Sequence, residues 1–319
     1  YAESLAALHD LPQEMNAPPD WLPRHQSYLV GISGGRDSIA LHHWLVSHQF
    51  EHLVCCHLNH GLRGEESDAD EAFLRQLFGR DLITAKLDVA ALAQAEKLSL
   101  ETAARQARHQ FFQGCARETG IPRVLLAHHA DDQAETILFN LLRGSAGPKG
   151  MTARHQIDGL TFLRPLLNCR RSEIDAYLST HRLSFRDDSS NQEPFAVRNR
   201  LRHEALPLLA EIMDRDPVPA LCRAEQNTRD LETIAEAALD SLNLLDPQGR
   251  IHLPTFRPLD PALQRRALHQ FLRQHSIPDL SFDLIEQARL LTHPESPPAL
   301  NLPGGQRLRR KQARLFLSP

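Results

Sequence analysis

Little in this 319-residue sequence points to export, to a membrane or to a metal cluster. No stretch approaches the roughly 18 uninterrupted apolar residues that a membrane-spanning helix needs. The first residues also lack the basic-then-apolar pattern of a secretory signal. The five cysteines, Cys55, Cys56, Cys115, Cys169 and Cys222, are odd in number, scattered and without a C-x-x-C pair. That argues against a disulfide framework and the usual zinc spacings, and it suits a reducing, cytoplasmic setting. A surplus of positive charge is missing too: the formal net charge is −4. Composition therefore gives no global sign of nucleic-acid binding, although a local basic cluster stays compatible with it. Tyr1 stands where an initiator Met is expected, which leaves the native start open.

What is present is ordinary for a globular protein, with 41% hydrophobic and 24% charged residues. The length favours two domains. A proline-bearing stretch, residues 1–24, reads as an irregular N-terminal arm. After it, apolar runs at Tyr28–Ile32, His52–Leu58, Leu82–Val89 and Val124–Ala127 read as strands. Helical patterns between and after them cover Ile39–Val46, Asp70–Phe78, Glu101–Glu118 and Asp131–Leu142. In Glu101–Glu118 the residues Ala104, Ala107, Phe111 and Cys115 share one apolar face. This alternation predicts an α/β fold built on a doubly wound parallel sheet, spanning 25–205. Residues 206–319 read as a smaller, mainly α-helical domain closed by a short strand pair near Arg307–Leu317. The boundary is placed between Asn191 and Asp216.

The sharpest chemical signal is Ser33-Gly34-Gly35-Arg36-Asp37-Ser38, directly after a strand and before a helix. Two residues without a Cβ let the backbone approach a phosphate closely. Loop amides and a helix N-terminus then make an anion site. The segment is neither a Walker A loop, since no Gly-Lys-Ser/Thr follows, nor a G-x-G-x-x-G fingerprint. An ordinary turn with Asp37 or Ser38 as N-cap would account for the residue types, but not for their position at a strand's carboxyl end. His128, Asp132 and Glu135 fall near one helical face, and Asp131 and Glu135 lie one turn apart. Such carboxylates suit Mg²⁺ or an ammonium group, while acids at a helix start also suit the macrodipole. Arg198 and Arg202 share a face in a segment free of acids, and guanidinium forks suit phosphate oxygens. The acid-free end, with Arg309, Arg310 and Lys311, is a backbone-contact candidate for RNA.

S-G-G-x-D-S at the first strand–helix junction resembles the pyrophosphate loop of the PP-loop ATP pyrophosphatases. Further blocks narrow the resemblance to the tRNA(Ile)-lysidine synthetases. These are Cys56-His57-Leu58-Asn59-His60-Gly61-Leu62-Arg63, Glu101-Thr102-Ala103-Ala104-Arg105, and Ala127-His128-His129-Ala130-Asp131-Asp132-Gln133-Ala134-Glu135-Thr136. Arg164-Pro165-Leu166-Leu167, Asp188-Ser189-Ser190-Asn191 and Arg198-Asn199-Arg200-Leu201-Arg202 complete it. The likeness is close from Tyr28 to Pro207 and weaker beyond. His109 departs from it, standing where that helix usually carries an aromatic.

The resemblance implies an adenine nucleotide α-hydrolase-like PP-loop fold. It implies a ligase that uses ATP and Mg²⁺ to adenylate C2–O of the wobble cytidine in a CAU anticodon, so that the ε-amine of free L-lysine displaces AMP. ATP would be bound by Ser33, Gly34, Gly35, Arg36, Asp37, Ser38, His57 and His128. Asp37, Asp132 and Glu135 would be catalytic, with Asp131, Asp132 and Glu135 as lysine or Mg²⁺ candidates. Arg105, Arg198, Arg202, Arg309, Arg310 and Lys311 would meet phosphate or RNA, and the last three belong to the expected tRNA- or substrate-recognition domain, 206–319. The partners would be tRNA(Ile) and lysine, with no membrane, and a homodimer is an arrangement the sequence allows. The rival readings are a 2-thiocytidine-type tRNA thiolase, disfavoured by the absent C-x-x-C, and a nucleotide-sensing protein without chemistry.

Overall fold

The computed structural model describes residues 15–62, 64–145, 147–186 and 197–318. Arg63, most of the expected arm and the block Asp188-Ser189-Ser190-Asn191 lie outside them.

The first unit comprises residues 1–139 and 150–222. Its strands are β1 (Ser27–Gly31), β2 (His52–Asn59), β3 (Leu82–Lys86), β4 (Arg123–Leu125), β5 (Arg154–Ile157) and β6 (Leu160–Leu163). They form one sheet in the order β3-β2-β1-β4-β6-β5, parallel except for β5 at its edge. Successive strands leave β1 first towards β3 and then, through β4, the other way. The order therefore reverses between β1 and β4, where open α/β sheets leave a crevice beyond their carboxyl ends.

The helices are α1 (Arg36–Ser47), α2 (Glu65–Phe78), α3 (Val89–Glu96), α4 (Leu100–Thr119), α5 (Ala130–Leu142), α6 (Arg171–Thr180), α7 (Val197–Arg200), α8 (Leu206–Met213) and α9 (Val218–Asp240). A π-type turn, Leu201–Ala205, joins α7 to α8. The side-chain alternation of β1 explains the double winding. Tyr28 and Val30 join Leu41 and Trp44 of α1 and Ile174 of α6 in one core, whereas Leu29 joins Phe112 and Cys115 of α4 in another.

Four details depart from the sequence expectations. The run Leu82–Val89 is a strand only to Lys86. Asp88 then caps a helix, its carboxylate accepting from the Ala91 amide at 2.9 Å. The buried face of α4 is carried by Ala103, Ala107, Phe112 and Cys115, a slight rotation from the expected one. The described end of the arm is irregular but belongs to the core: Met15 and Leu22 are buried in it, and the Trp44 indole donates to Asn16 O at 3.1 Å. Finally, the contact pattern keeps residues 206–222 with the first unit, because Leu206 and Val218 pack on Ala130 and Ala134 of α5.

The second unit comprises residues 140–149 and 223–319. Besides helices it holds an antiparallel sheet in the order β7-β10-β9-β8, from β7 (Ile251–His252), β8 (Ala299–Asn301), β9 (Arg307–Lys311) and β10 (Arg314–Ser318). The expected strand pair is β9 and β10, with a short strand on either side of it. Helices α10 (Leu253–Phe256), α11 (Pro261–Gln274) and α12 (Phe282–Leu290) close a core around Phe256, Leu268, Leu308 and Leu315. No helix among the described residues is long and apolar enough to cross a membrane.

Candidate functional site

The loop after β1 is built around its two hydroxyls. Ser38 Oγ donates to Gly35 O at 2.9 Å and accepts from the Ser33 amide at 3.2 Å, and the Gly35 amide donates to Ser33 Oγ at 3.2 Å. Gly34 adopts a φ of +88°, a conformation that favours glycine. Gly35 is the N-cap of α1 and no side chain caps that end, so neither Asp37 nor Ser38 is spent on capping. Arg36 points its guanidinium to Asp175 at 3.0 Å and over the Phe185 ring.

Asp37 is the unsatisfied member of this loop. Its Oδ1 is buried without a hydrogen-bond partner among the described residues, a costly condition for a carboxylate. Burial pushes its pKa up, against the pull of His129. His129 is itself 1% exposed, with Nε2 lying 3.8 Å from Asp37 Oδ2 and 3.6 Å from Asp132 Oδ2. The Asp132 amide donates to its Nδ1 at 3.4 Å, and Asp131 Oδ2 lies 3.7 Å from the same nitrogen, so the ring sits among three carboxylates. His129 thus links the loop to α5, a role that a search for metal spacing does not reveal.

The neighbouring aspartates have different surroundings. Asp131 takes both forks of Arg170, at 3.1 and 2.9 Å, and the Arg171 amide at 2.9 Å. Burial opposes its charge, but these donors outweigh it and hold the carboxyl below its ordinary value. Asp132 and Glu135 instead share Arg202, which donates to Asp132 Oδ1 at 2.7 Å and to Glu135 at 2.5 and 3.2 Å. Burial pushes Glu135 up, only partly offset by Arg202. Arg198 lies over the Phe139 ring and 3.5 Å from Glu101, apart from that pair.

These groups open onto a cavity of about 470 Å³ lined by Ser33, Asp37, Ser38, His57, His128, Asp132 and Arg202. That volume is in the usual range for small-molecule sites. The carboxyl ends of β1, β2 and β4, at the reversal of strand order, supply part of the lining, and α4, α5 and Arg202 supply more of it. His57 Nδ1–H donates to Ile32 O at 2.8 Å, so its buried Nε2 is an acceptor without a partner among the described residues. Burial lowers the pKa of His57 and lowers that of His60 to about 4, which keeps both rings neutral. Arg108 also lines the cavity, and it stands with Arg105 and Arg164 as mutually opposed cations. Arg108 and Arg164 are not singled out by the sequence, and His129, which reads there as one of several loop histidines beside a nucleotide pocket, shows its link between the loop and α5 only in the structure.

The described residues of the second unit sort the basic end. Arg307, Arg309 and Lys311 are exposed at alternate positions of β9. Arg310 is engaged by the backbone, donating to Leu291 O at 2.9 Å, Pro294 O at 3.0 Å and Ser296 O at 2.7 Å.

Comparison with known proteins gives a PP-loop domain over residues 8–209 and a TilS substrate binding domain over residues 244–316. The tRNA(Ile)-lysidine synthase of Geobacter sulfurreducens is 39% identical over 290 residues, 86% of this chain and 61% of that protein. That of Thermus thermophilus is 38% identical over 91% of this chain and 56% of its own length. The Chlorobaculum tepidum protein is 35% identical over 77% of both chains. The chain thus spans about three fifths of the first curated relatives it matches. Among solved structures, the U34-tRNA thiolase NcsA of Methanococcus maripaludis shares the fold, with a TM-score of 0.52, 14% identity, 64% of this chain and 72% of that one covered. Family models over both regions, relatives alike across most of the sequence and a cavity at the sheet's reversal agree: this chain belongs to the tRNA(Ile)-lysidine synthase family of PP-loop proteins.

Proposed function

We propose that the chain ligates lysine to C2 of the wobble cytidine of tRNA(Ile) with a CAU anticodon, consuming ATP and releasing AMP and pyrophosphate. The observation that carries this reading is that Ser33, Asp37 and Ser38 of the loop after β1 line one cavity with Asp132. The loop amides, Ser33, Ser38 and the start of α1 bind the β- and γ-phosphates. Asp37 fits Mg²⁺: its buried Oδ1 lacks a partner among the described residues, and Mg²⁺ is commonly held by one or two carboxylates together with substrate phosphates. When bound, that ion neutralises charge on the phosphates and makes pyrophosphate a better leaving group.

In this reading Asp132 and Glu135 receive the lysine ammonium, and their shared Arg202 yields as it enters. Asp132 takes the proton that the amine must lose before attack. Asp131, already saturated by Arg170 and Arg171, positions α5 and does not contact substrate. The wobble base lies in a single-stranded loop, so presenting it costs little unstacking. Arg105 and Arg108 meet phosphate near the cavity, and Arg307, Arg309 and Lys311 meet the RNA backbone. The chain acts in the cytoplasm, with tRNA and free lysine as partners. A thiolase reading is not favoured, since the cysteines form no paired motif and Cys55, Cys56, Cys115 and Cys169 are buried.

The test is ATP-dependent incorporation of radiolabelled lysine into a tRNA(Ile) transcript and into one whose wobble cytidine is replaced by uridine. Label in the cytidine transcript alone is expected. Equal label in both, or none in either, would reject the assignment.

A further inference from the structure

Arg164 directly follows β6, touches the cavity-lining His128 and has no role in the steps above. Its Nη1 donates to Thr152 O at 2.9 Å, which fixes the guanidinium plane, and its Nε lies 3.2 Å from His128 Nδ1. An arginine Nε always carries hydrogen and cannot accept. His128 Nδ1 must then be the acceptor, and the ring proton sits on Nε2. That nitrogen has no partner among the described residues, on a ring that lines the cavity.

The surroundings make the same case. The groups facing His128 are Asp132, which favours a positive ring, and Arg164, Arg108 and His129, which oppose one. Burial adds the largest opposing effect and, with them, pushes His128 down to about 3. Burial and then Arg105 and Arg108 also lower Arg164, to about 10, so it is still charged at neutral pH. Arg105, Arg108 and Arg164 have no acidic partner among the described residues, so an anion is the ligand this corner favours.

We propose that Arg164 is a positioning residue that locks His128 as a neutral imidazole with Nε2–H presented to a phosphoryl oxygen of the bound nucleotide. The imidazole neither gives nor takes a proton. It donates one hydrogen bond to an oxygen whose negative charge grows as the cytidine attacks, with no reorganisation at that moment. The catalytic part of the proposal rests on the function proposed above, whereas the tautomer does not.

The experiment uses the full chain labelled with ¹⁵N-histidine, without substrates. Long-range ¹H–¹⁵N correlation spectra distinguish the two tautomers from the imidazolium, and a His128→Asn variant assigns the signal. The expected result is a single Nε2–H tautomer for His128 that does not titrate between about pH 5 and 8. A wild-type spectrum with Nδ1–H or a titrating ring overturns the proposal, whatever the activity. In Arg164→Met the tautomers should mix or the ring should titrate, while Arg164→Lys, which keeps a donor, should restore much of the wild-type signal. Unchanged His128 in a folded Arg164→Met variant also overturns it. Arg164→Met should lower kcat for AMP formation about 10- to 100-fold, the range seen when partners orienting a metal-bound imidazole are lost. KM for ATP should change little. Loss of AMP formation in the wild type would instead reject the proposed function and leave the tautomer result standing.

Discussion

Replacing Arg202 by Met keeps most of the side chain's length and removes the charge that holds Asp132 and Glu135 together. Arg202 and Asp132 are 21% and 20% exposed and Glu135 is 6% exposed, so the pair is largely but not fully desolvated. Breaking a buried pair costs about 3–5 kcal/mol because an uncompensated charge stays behind. Water around Asp132 screens part of that, and about 2–4 kcal/mol is the appropriate range near pH 8. The cost should depend on pH in a definite sense. Glu135 already has a raised pKa, and losing Arg202 raises it further. A carboxyl raised in the folded state destabilises the protein as pH climbs through the window between its unfolded value, about 4.3, and its folded value. The difference between wild type and variant should therefore shrink as pH falls into that window. Thermal unfolding followed by circular dichroism should show the first transition on the order of 10 °C lower at pH 8, at about 2–4 °C per kcal/mol, and clearly less at pH 5. Equal melting at pH 8, or a gap that does not narrow in acid, would refute the pairing argument.

Other substitutions separate roles that sequence alone leaves together. Asp37→Asn should lower AMP formation at least about 10²-fold without weakening tRNA binding measured by filter retention. It should also leave apo-protein melting unchanged or higher, because it removes a carboxylate charge whose buried Oδ1 has no partner among the described residues. Asp131→Asn should cost about 1–3 kcal/mol through the lost Arg170 contacts while kcat holds. Because Asp131 is depressed, that loss should be full above the unfolded carboxylate value, about 3.9, and vanish as pH falls through the folded one. Asp132→Asn should instead raise KM for lysine about 10- to 100-fold in steady-state assays, the effect of one ammonium–carboxylate bond. Removing Arg307, Arg309 or Lys311 should each reduce the salt slope of tRNA binding by about 1. Arg310→Met should lower the stability of the second unit, since its guanidinium ties together three backbone carbonyls.

The sheet's first four strands are readable because each is a short apolar run followed by a helical pattern, and Gly34-Gly35 marks where the ligand edge falls. The end of β3 escapes because Leu87 and Val89 extend its apolar run. Only the Asp88 cap marks the change, and a single Asp is a weak signal. Strand β5 is invisible for another reason: all four of its residues are exposed, so it has no buried alternation to detect. In the second unit β7 and β8 have two and three residues, too few to display a period. Within the site, the glycine loop and the acids of α5 are legible as residue types. Their division of labour is not, because Arg170 and Arg202 reach Asp131 and Asp132 from 39 and 70 positions away. Arg310 likewise reads as surface charge until its carbonyl partners are seen.

The most direct measurement counts AMP, pyrophosphate and incorporated lysine in one reaction with an unmodified tRNA(Ile) transcript carrying CAU. The account predicts equal amounts of all three, with no AMP when the transcript is left out. ADP and phosphate as products, or AMP formed without lysine entering the RNA, would contradict it.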